Sequence, residues 1–158
     1  MNAAHDDITI YCGRELGGEL QACIEVIKEG DAVDVDAAAA ELPKALFVAV
    51  KRDVGAVVGV AAIKRQRPWY AKDKALKSGF TFDENLHELG YVSVRKTHRK
   101  QGLASALLNR LLSACKIRPL FATTSNETMK KRFSEAGFQK CGNEWRGNDS
   151  MLSLWIKG

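Results

Sequence analysis

The fold of this chain is decided by the stretch Tyr91-Val92-Ser93-Val94-Arg95-Lys96-Thr97-His98-Arg99-Lys100-Gln101-Gly102-Leu103-Ala104. Its first part belongs to an apolar run over residues 89–94, which predicts a buried strand. Its last part opens a wide apolar stripe at helical spacing, which predicts a helix from Leu103 onward. The stripe consists of Leu103, Leu107, Leu108, Leu111, Leu112 and Cys115. Residues 120–123 predict a second strand, and strand, helix and strand within about 35 residues are typical of a parallel βαβ unit with a right-handed crossover.

The loop between this strand and helix has the composition of an anion site. Four cations give it positive charge: Arg95, Lys96, Arg99 and Lys100. Gly102 and Ala104 leave the backbone open to a ligand, and the first amides of a helix lack partners within the helix. We therefore interpret the loop as a phosphate cradle, with a solvated basic loop as the alternative. A dinucleotide-binding loop and a P-loop are disfavoured, because G-x-G-x-x-G and G-K-[ST] are missing.

The flanking segments predict short strands and helices in alternation. Residues 8–12 are typical of an edge strand, and residues 20–27 and 34–42 of two helices. Residues 46–50 and 56–63 predict a hairpin across a polar turn at 51–55, and residues 70–78 predict a short helix or an ordered loop. A helix over 127–136 would begin at an N-cap, Ser125 or Asn126, and end at Gly137. Closing strands are predicted at Trp145 and at 151–156, around a turn at 147–149.

Length and composition predict one domain over residues 1–158. The apolar fraction is 46% and the formal net charge is +5, which suits an anionic ligand without requiring one. No apolar run is long enough for a membrane helix, and residues 1–10 lack the layout of a signal peptide. The four cysteines show neither C-x-x-C pairs nor metal-ligand spacing, so we expect no metal site and a reducing, cytoplasmic location.

The spacing of the loop resembles the acetyl-coenzyme A motif of the GNAT superfamily of N-acetyltransferases, Q/R-x-x-G-x-G/A after a strand. The matching residues are Arg99, Gly102 and Ala104, behind Val94. Downstream, Asn126 precedes Phe133-Ser134-Glu135-Ala136-Gly137-Phe138, where family members often show Asn and then Y-x-x-x-G-F. The hairpin over 46–63 is similar to the family's second and third strands, and the resemblance covers residues 46–157.

This resemblance implies an α/β (α+β) fold with a mixed central sheet of six or seven strands, about four flanking helices, and a parallel strand pair splayed around the cofactor. It also implies that acetyl-coenzyme A binds, with its pyrophosphate on backbone amides of Arg99, Lys100, Gln101, Gly102, Leu103 and Ala104. The pantetheine arm would pair with the backbone of Val92 and Val94 and enter the gap between the splayed strands. Asn126 would contact the cofactor, and a plain helix N-cap is the equal alternative for this residue.

The family chemistry is direct attack of an amine on the thioester, which requires a neutral amine and therefore a base. Glu88 is the first candidate, because some family members carry a glutamate at this place in the strand; His87 is the second. For Glu88 the alternative is a strand end in solvent. The usual tyrosine acid is replaced by Phe133, which cannot donate a proton, and neither Tyr91 nor Ser134 has positional support as a substitute. Lys100 and Ala104 stand where many members have glycine.

The acceptor is not identified by the sequence. We expect a small-molecule or peptide amine, with RNA, tRNA or a nucleobase as the first alternative and a non-catalytic basic binding module as the second. Residues 64–74 mix cations with aromatic side chains, which suits nucleic acid, although a solvated loop with Trp69 against the core is favoured. A monomer or a homodimer is expected, because residues 151–156 are apolar on both faces and would permit pairing at a sheet edge.

Overall fold

The computed structural model describes residues 7–30, 34–147 and 149–158. Within these ranges the chain forms seven strands and five α-helices. The strands are β1 (Ile8–Tyr11), β2 (Phe47–Asp53), β3 (Ala56–Lys64), β4 (His87–Val94), β5 (Leu120–Thr124), β6 (Gln139–Arg146) and β7 (Met151–Lys157). The helices are α1 (Leu20–Lys28), α2 (Val35–Glu41), α3 (Pro68–Ser78), α4 (Leu103–Ala114) and α5 (Glu127–Glu135).

The strands form one mixed sheet in the order β1-β2-β3-β4-β5-β7-β6. β4 and β5 are parallel, with His87 opposite Leu120 and Glu88 opposite Phe121, and α4 connects them. The predicted βαβ unit, the edge position of β1 and the mixed sheet are thereby confirmed, while the splaying of the parallel pair stays a prediction. The expected place of the C-terminal strand at a sheet edge is wrong, because β7 lies between β5 and β6.

The chain divides into two compact units. The first consists of residues up to Lys64 together with Gly90–Lys116, and the second of Arg65–Leu89 together with Ile117–Gly158. In the first unit, α1 and α4 both pack on β3. The apolar stripe of α4 is its buried face, and Leu107 lies so close to β3 that a Cβ at Gly59 would come within 2.9 Å of its Cδ1.

The β2–β3 hairpin is tighter than the sequence predicts. The polar residues 51–53 continue the strand, and the turn is formed by Val54 and Gly55, with φ of 50° and 80°. Two left-handed residues in a two-residue turn match the right-handed twist of the paired strands. The polar side chains misplaced the boundary, because Lys51 is buried and Arg52 is half-buried within the strand, so polarity alone did not mark where the turn begins.

The second unit has its own core, which includes Phe121, Trp145 and Leu154. The segment for which the sequence predicts either a helix or a loop forms the helix α3. Pro68 lies in its first turn, where the amide hydrogen that proline lacks would have no partner within the helix. Trp69 is 68% exposed, so the expected packing of its ring against the core is wrong. β6 starts at Gln139, earlier than predicted; Asn148 of the predicted closing turn and residues 1–6 lie outside the described part.

No helix in the described ranges is both long and apolar enough to cross a membrane. The four cysteines are thiols and form no disulfide, and Cys23 and Cys115 are buried in the core. Burial raises the pKa of the Cys23 thiol to about 11, so this group is an inert part of the core.

Candidate functional site

The loop after β4 has a backbone suited to binding an anion. A single 3₁₀ turn, Lys96–His98, follows the strand, and α4 then begins at Leu103. Lys100 and Gly102 are left-handed, with φ of 65° and 75°. Left-handed residues turn the amides around them out of the extended direction, and successive backbone amides in such turns form concave sites for anions. Lys100 holds a conformation that glycine adopts most readily.

The N-terminus of α4 is open. Its N-cap residue, Gly102, has no side chain to bond the first amides, and the first helical bond runs from the amide of Ala106 to the carbonyl of Gly102 at 3.0 Å. In contrast, Asp34 Oδ1 accepts from two amides of α2, and Asn126 Oδ1 accepts from Met129 N in α5. The first turn of α4 therefore presents uncapped donors and positive potential.

Two of the four loop cations are directed to the protein itself. Arg95 Nη1 donates to Glu29 Oε2 at 2.5 Å, and its Nε donates to the carbonyl of Val57 at 3.0 Å. Arg99 Nε donates to the carbonyl of Val94 at 3.0 Å, and its Nη2 donates to the backbone carbonyl of Glu29 at 3.2 Å. Their guanidinium groups thus fix the loop, and the exposed ammonium groups of the loop are those of Lys96 and Lys100.

Two carboxylates anchor the loop from different elements. Glu29, which directly follows α1, accepts from the amide of Lys96 at 3.0 Å as well as from Arg95. These contacts lower the pKa of Glu29, the amide of Lys96 most of all. Asp53, at the end of β2, contacts His98 Nε2 at 2.7 Å, so His98 is held in the loop. Neither anchor was found from the sequence, because Glu29 and Asp53 lie 66 and 45 residues from their partners and no local pattern marks them.

The end of β4 presents alternate residues to its two sides. Arg95 N donates to the carbonyl of Val58 in β3 at 2.8 Å, and Ser93 O also lies toward β3, near Gly59. Backbone groups alternate in direction along a strand, so those of Val92 and Val94 point away from β3. Tyr91 is left-handed, with φ of 55°, and Lys64 Nζ lies 4.1 Å from the centroid of its ring. The left-handed Tyr91 is a feature that the apolar pattern of the strand does not reveal.

In the second unit, Glu88 is buried rather than exposed at a strand end. It is 4% exposed, and its Oε1 accepts from Arg67 Nη2 at 2.8 Å. The guanidinium of Arg67 also lies 4.1 Å from the centroid of the Tyr70 ring. His87 is partly buried, and its side chain lies on the opposite face of the strand, since successive strand residues alternate. The structure thus pairs Glu88 with an arginine that the sequence analysis did not single out.

Asn126 directly precedes α5 and Phe133 lies within it, both in the second unit. Asn126 caps the helix through Oδ1, which is the plainer of its two predicted roles, and the residue is exposed. Phe133 is 3% exposed and packs on Phe138 and Trp155, with ring centroids 5.3 and 6.3 Å away. It is a core side chain here. Across residues 7–30, 34–147 and 149–158, no three potential ligands are grouped to hold a metal ion.

Comparison with known proteins gives a consistent result. The model of the acetyltransferase (GNAT) family matches residues 15–138. No curated protein sequence matches the chain significantly. The fold is similar to that of an acyl-CoA N-acyltransferase from Pseudomonas aeruginosa, with a TM-score of 0.69, 15% identity, and coverage of 96% of this chain and 99% of the other.

Two further solved structures share the fold. The ribosomal-protein-alanine N-acetyltransferase of Brucella melitensis has a TM-score of 0.60 at 19% identity, covering 95% of this chain and 98% of the other. The Salmonella typhimurium protein yncA, solved with its cofactor acetyl-CoA, has a TM-score of 0.59 at 18% identity, covering 94% and 91%. At these identities the likeness concerns the fold alone.

Proposed function

We propose that this chain, which belongs to the acetyltransferase (GNAT) family, transfers an acetyl group from acetyl-coenzyme A to an amine. The observation that carries the proposal is the open N-terminus of α4, preceded by the left-handed Lys100 and Gly102. Uncapped amides in a concave loop suit a diphosphate, which accepts several hydrogen bonds and carries negative charge. The enzyme class follows from the family; the donor and the acceptor are the proposed parts.

The cofactor-binding residues are assigned by what their backbones offer. The amides of Lys100, Gln101, Gly102, Leu103 and Ala104 would hold the diphosphate. Arg99 N lies 3.5 Å from the carbonyl of Lys96, a long contact that leaves it able to donate as well. Val92 and Val94 direct their backbone groups away from β3, as pairing with the pantetheine amides requires. The Val94 carbonyl already accepts from Arg99, so we assign the pairing at this residue to its amide.

Asn126 is the cofactor contact proposed in the second unit. Its Oδ1 is used to cap α5, which leaves Nδ2 on an exposed side chain as the donor for a ligand. A residue that caps a helix is held in one rotamer, so its remaining amide group is also fixed in direction. The cap and the cofactor contact are therefore compatible roles.

When bound, acetyl-coenzyme A would supply a thioester, whose carbonyl carbon would exchange its bond to sulfur for a bond to the amine nitrogen, with the coenzyme released as its thiolate. We assign the removal of the amine proton to Glu88. Arg67 holds Oε1 of this carboxylate in one direction, and burial excludes most water around it. A positioned carboxylate base contributes about 10²–10⁴-fold to the rate. Phe133 supplies no proton to the leaving sulfur, so no acid is assigned.

An amine acceptor is favoured over nucleic acid because the cations of the basic, aromatic segment are mostly engaged. Arg67 is paired with Glu88, and Lys74 is paired with Asp73. Lys72 also contacts a carboxylate, that of Glu84, and Lys64 lies over the ring of Tyr91. Binding of a nucleic acid requires cations that can replace the counterions of phosphates, and paired lysines do this less well. The exposed ring of Trp69 does not compensate for this loss of available charge.

The proposal is tested by thermal melting with acetyl-coenzyme A, followed by an assay of thiol release. At about 100 times the Kd, a ligand stabilises the folded state by about 2.7 kcal/mol, a rise in Tm of about 5–10 °C for a chain of this size. No shift at millimolar acetyl-coenzyme A would overturn the proposal. Thiol release is then measured with a panel of amines and with tRNA. Activity on tRNA alone, falling steeply with salt, would replace the amine by a nucleic-acid acceptor.

A further inference from the structure

We propose that Glu29 is a positioning residue, which holds the loop over residues 95–102 in its ligand-binding conformation from the end of α1. The inference rests on the proposed function, since the loop is taken to bind the diphosphate of the cofactor. Glu29 lies outside the motif and was not singled out by the sequence. It does not itself touch the assigned amides from Lys100 to Ala104 in any recorded contact; its partners precede them in the loop.

The contacts of Glu29 are divided over the whole first half of the loop. Its Oε2 accepts from Arg95, its Oε1 accepts from the amide of Lys96, and its backbone carbonyl accepts from Arg99. Three groups of one residue thus fix three positions of a segment that is 66–70 residues away in the chain. Arg99 in turn bonds to the carbonyl of Val94, which links the loop to the end of β4.

The helix that precedes Glu29, α1, is anchored in the core of the first unit. α1 buries Cys23, Val26 and Ile27 completely, and the amide of Glu29 itself bonds to the carbonyl of Val26 at 3.2 Å. The close packing of α1 holds the backbone of Glu29 in place, and the bonds to Arg95 and to the amide of Lys96 fix its partly exposed carboxylate. The core of the first unit therefore fixes the geometry of the loop through Glu29.

The placement of this carboxylate is unfavourable unless it serves a partner. The C-terminus of a helix carries partial negative charge, and an anion there is disfavoured. Glu29 sits at that end of α1, with only Lys28 as a basic residue in the last turn. Its pairing with Arg95 and with the amide of Lys96 offsets the repulsion. A glutamate at this place is thus explained by the loop and not by the helix.

The two physical effects of Glu29 on an anionic ligand have opposite signs. Its negative charge lies near the phosphate site, so its removal by through-space electrostatics alone would strengthen binding of coenzyme A. Its contacts preorganise the loop, so their removal would weaken binding, because the ligand would then have to order the loop itself. We expect preorganisation to dominate, since three contacts are lost or loosened together. The direction of the change in Kd therefore decides the proposal.

The experiment measures the Kd of coenzyme A by calorimetry for the wild type, Glu29→Gln and Glu25→Gln. Glu25 lies one turn earlier on α1, is exposed, and accepts only from Gln21 in any recorded contact, so its variant removes the same charge without touching the loop. We expect Glu29→Gln to raise the Kd and the KM for acetyl-coenzyme A about five- to tenfold, with kcat at saturation within twofold of the wild type. Glu25→Gln should change neither by more than twofold.

Hydrogen exchange gives a second readout that does not depend on catalysis. Without ligand, the amide of Lys96 should exchange at least about fivefold faster in Glu29→Gln than in Glu25→Gln, because a neutral amide oxygen is a weaker acceptor than a carboxylate. Unchanged exchange, or a Kd equal to or lower than that of the wild type, would overturn the proposal. If Glu29→Gln does not fold, Arg95→Lys, which keeps the charge and loses the planar fork, should raise the Kd in the same direction; an unchanged Kd would overturn the proposal. If the wild type binds no coenzyme A, the proposed function fails, while the exchange of Lys96 still decides whether Glu29 fixes the loop.

Discussion

Replacing Gly102 by Asp and by Asn separates the electrostatic part of the proposed phosphate site from its geometry. Gly102 is the N-cap residue of α4 and is left-handed, with φ of 75° and ψ of 12°. Any other residue adds strain there, about 1–2 kcal/mol, and Asn and Asp bear the left-handed conformation best. The two variants have side chains of the same shape and differ by one negative charge at the open end of the helix.

The size of the effect follows from Coulomb's law. A carboxylate about 5 Å from a diphosphate of about two negative charges is repelled by about 1.7 kcal/mol at the dielectric constant of water, and by about 6.6 kcal/mol at an effective value near 20. Even the smaller value corresponds to more than about a tenfold weaker binding, since about 1.4 kcal/mol is a factor of ten. The same carboxylate at a helix N-terminus stabilises the helix by about 0.3–1 kcal/mol.

Gly102→Asp is therefore expected to be at least as stable as Gly102→Asn while binding coenzyme A at least about tenfold more weakly. Stability is measured by thermal melting without ligand, and Kd by calorimetry at one fixed salt concentration. A folded Gly102→Asp that binds within twofold of Gly102→Asn would refute the placement of the diphosphate at this helix. A common loss of binding in both variants, relative to the wild type, would report the strain and not the charge.

Three further predictions concern other parts of the chain. Glu88→Gln keeps the shape and one acceptor for Arg67 but removes the proposed base, so kcat should fall about 10²–10⁴-fold with little change in the KM for acetyl-coenzyme A. His87→Asn, on the other face of β4, should change kcat by less than about threefold. The reverse result would assign the base to His87. Phe133→Ala removes a core ring and should lower the free energy of unfolding by about 3–5 kcal/mol, measured by denaturant titration. Well below the Tm, its kcat should stay within a few fold of the wild-type value, since no proton comes from this position. A large loss of kcat in stably folded protein would contradict this. The pKa of Glu29 is lowered from its ordinary 4.5, chiefly by the amide of Lys96, so its contribution to the order of the loop is fully present above pH 4.5 and is lost only as the pH falls through the lowered pKa. The Kd of coenzyme A should therefore show no change that depends on Glu29 between about pH 8 and 5. A Glu29-dependent rise in Kd already at about pH 6 would count against the assignment.

The features that the sequence predicts are those whose causes lie close together in the chain. The apolar stripe of α4 identifies its buried face, and Gly102 identifies where the helix begins, because both depend on residues within a few turns. Asn126 was foreseen as an N-cap for the same reason. The turn was predicted too wide, over residues 51–55, since the polar residues 51–53 continue β2 and polarity alone does not mark a change of backbone direction.

The contacts that the sequence does not predict are those made across the sheet and between elements. Glu88 was predicted as a candidate base, with a strand end in solvent as the alternative, and its burial against Arg67, the residue before α3, is not indicated by any pattern in β4. The left-handed Tyr91 is likewise hidden in an apolar run. Such features are fixed by tertiary packing, which overrides the local preference of a residue.

The distribution of charge in the loop indicates what would give the proposed site its affinity for a diphosphate. A basic loop invites the interpretation that its cations attract the phosphate, yet Arg95 and Arg99 are bonded to Glu29 and to backbone carbonyls, and His98 is bonded to Asp53. The carboxylates of Glu29 and Asp53 order the loop, but they also cancel part of its positive charge. The long-range attraction of the loop for an anion is therefore weaker. Fixed amides bind a diphosphate at short range and in one orientation, whereas mobile cations bind it in many. A transfer reaction depends on the orientation of the bound donor, and the structure of this loop favours orientation over charge.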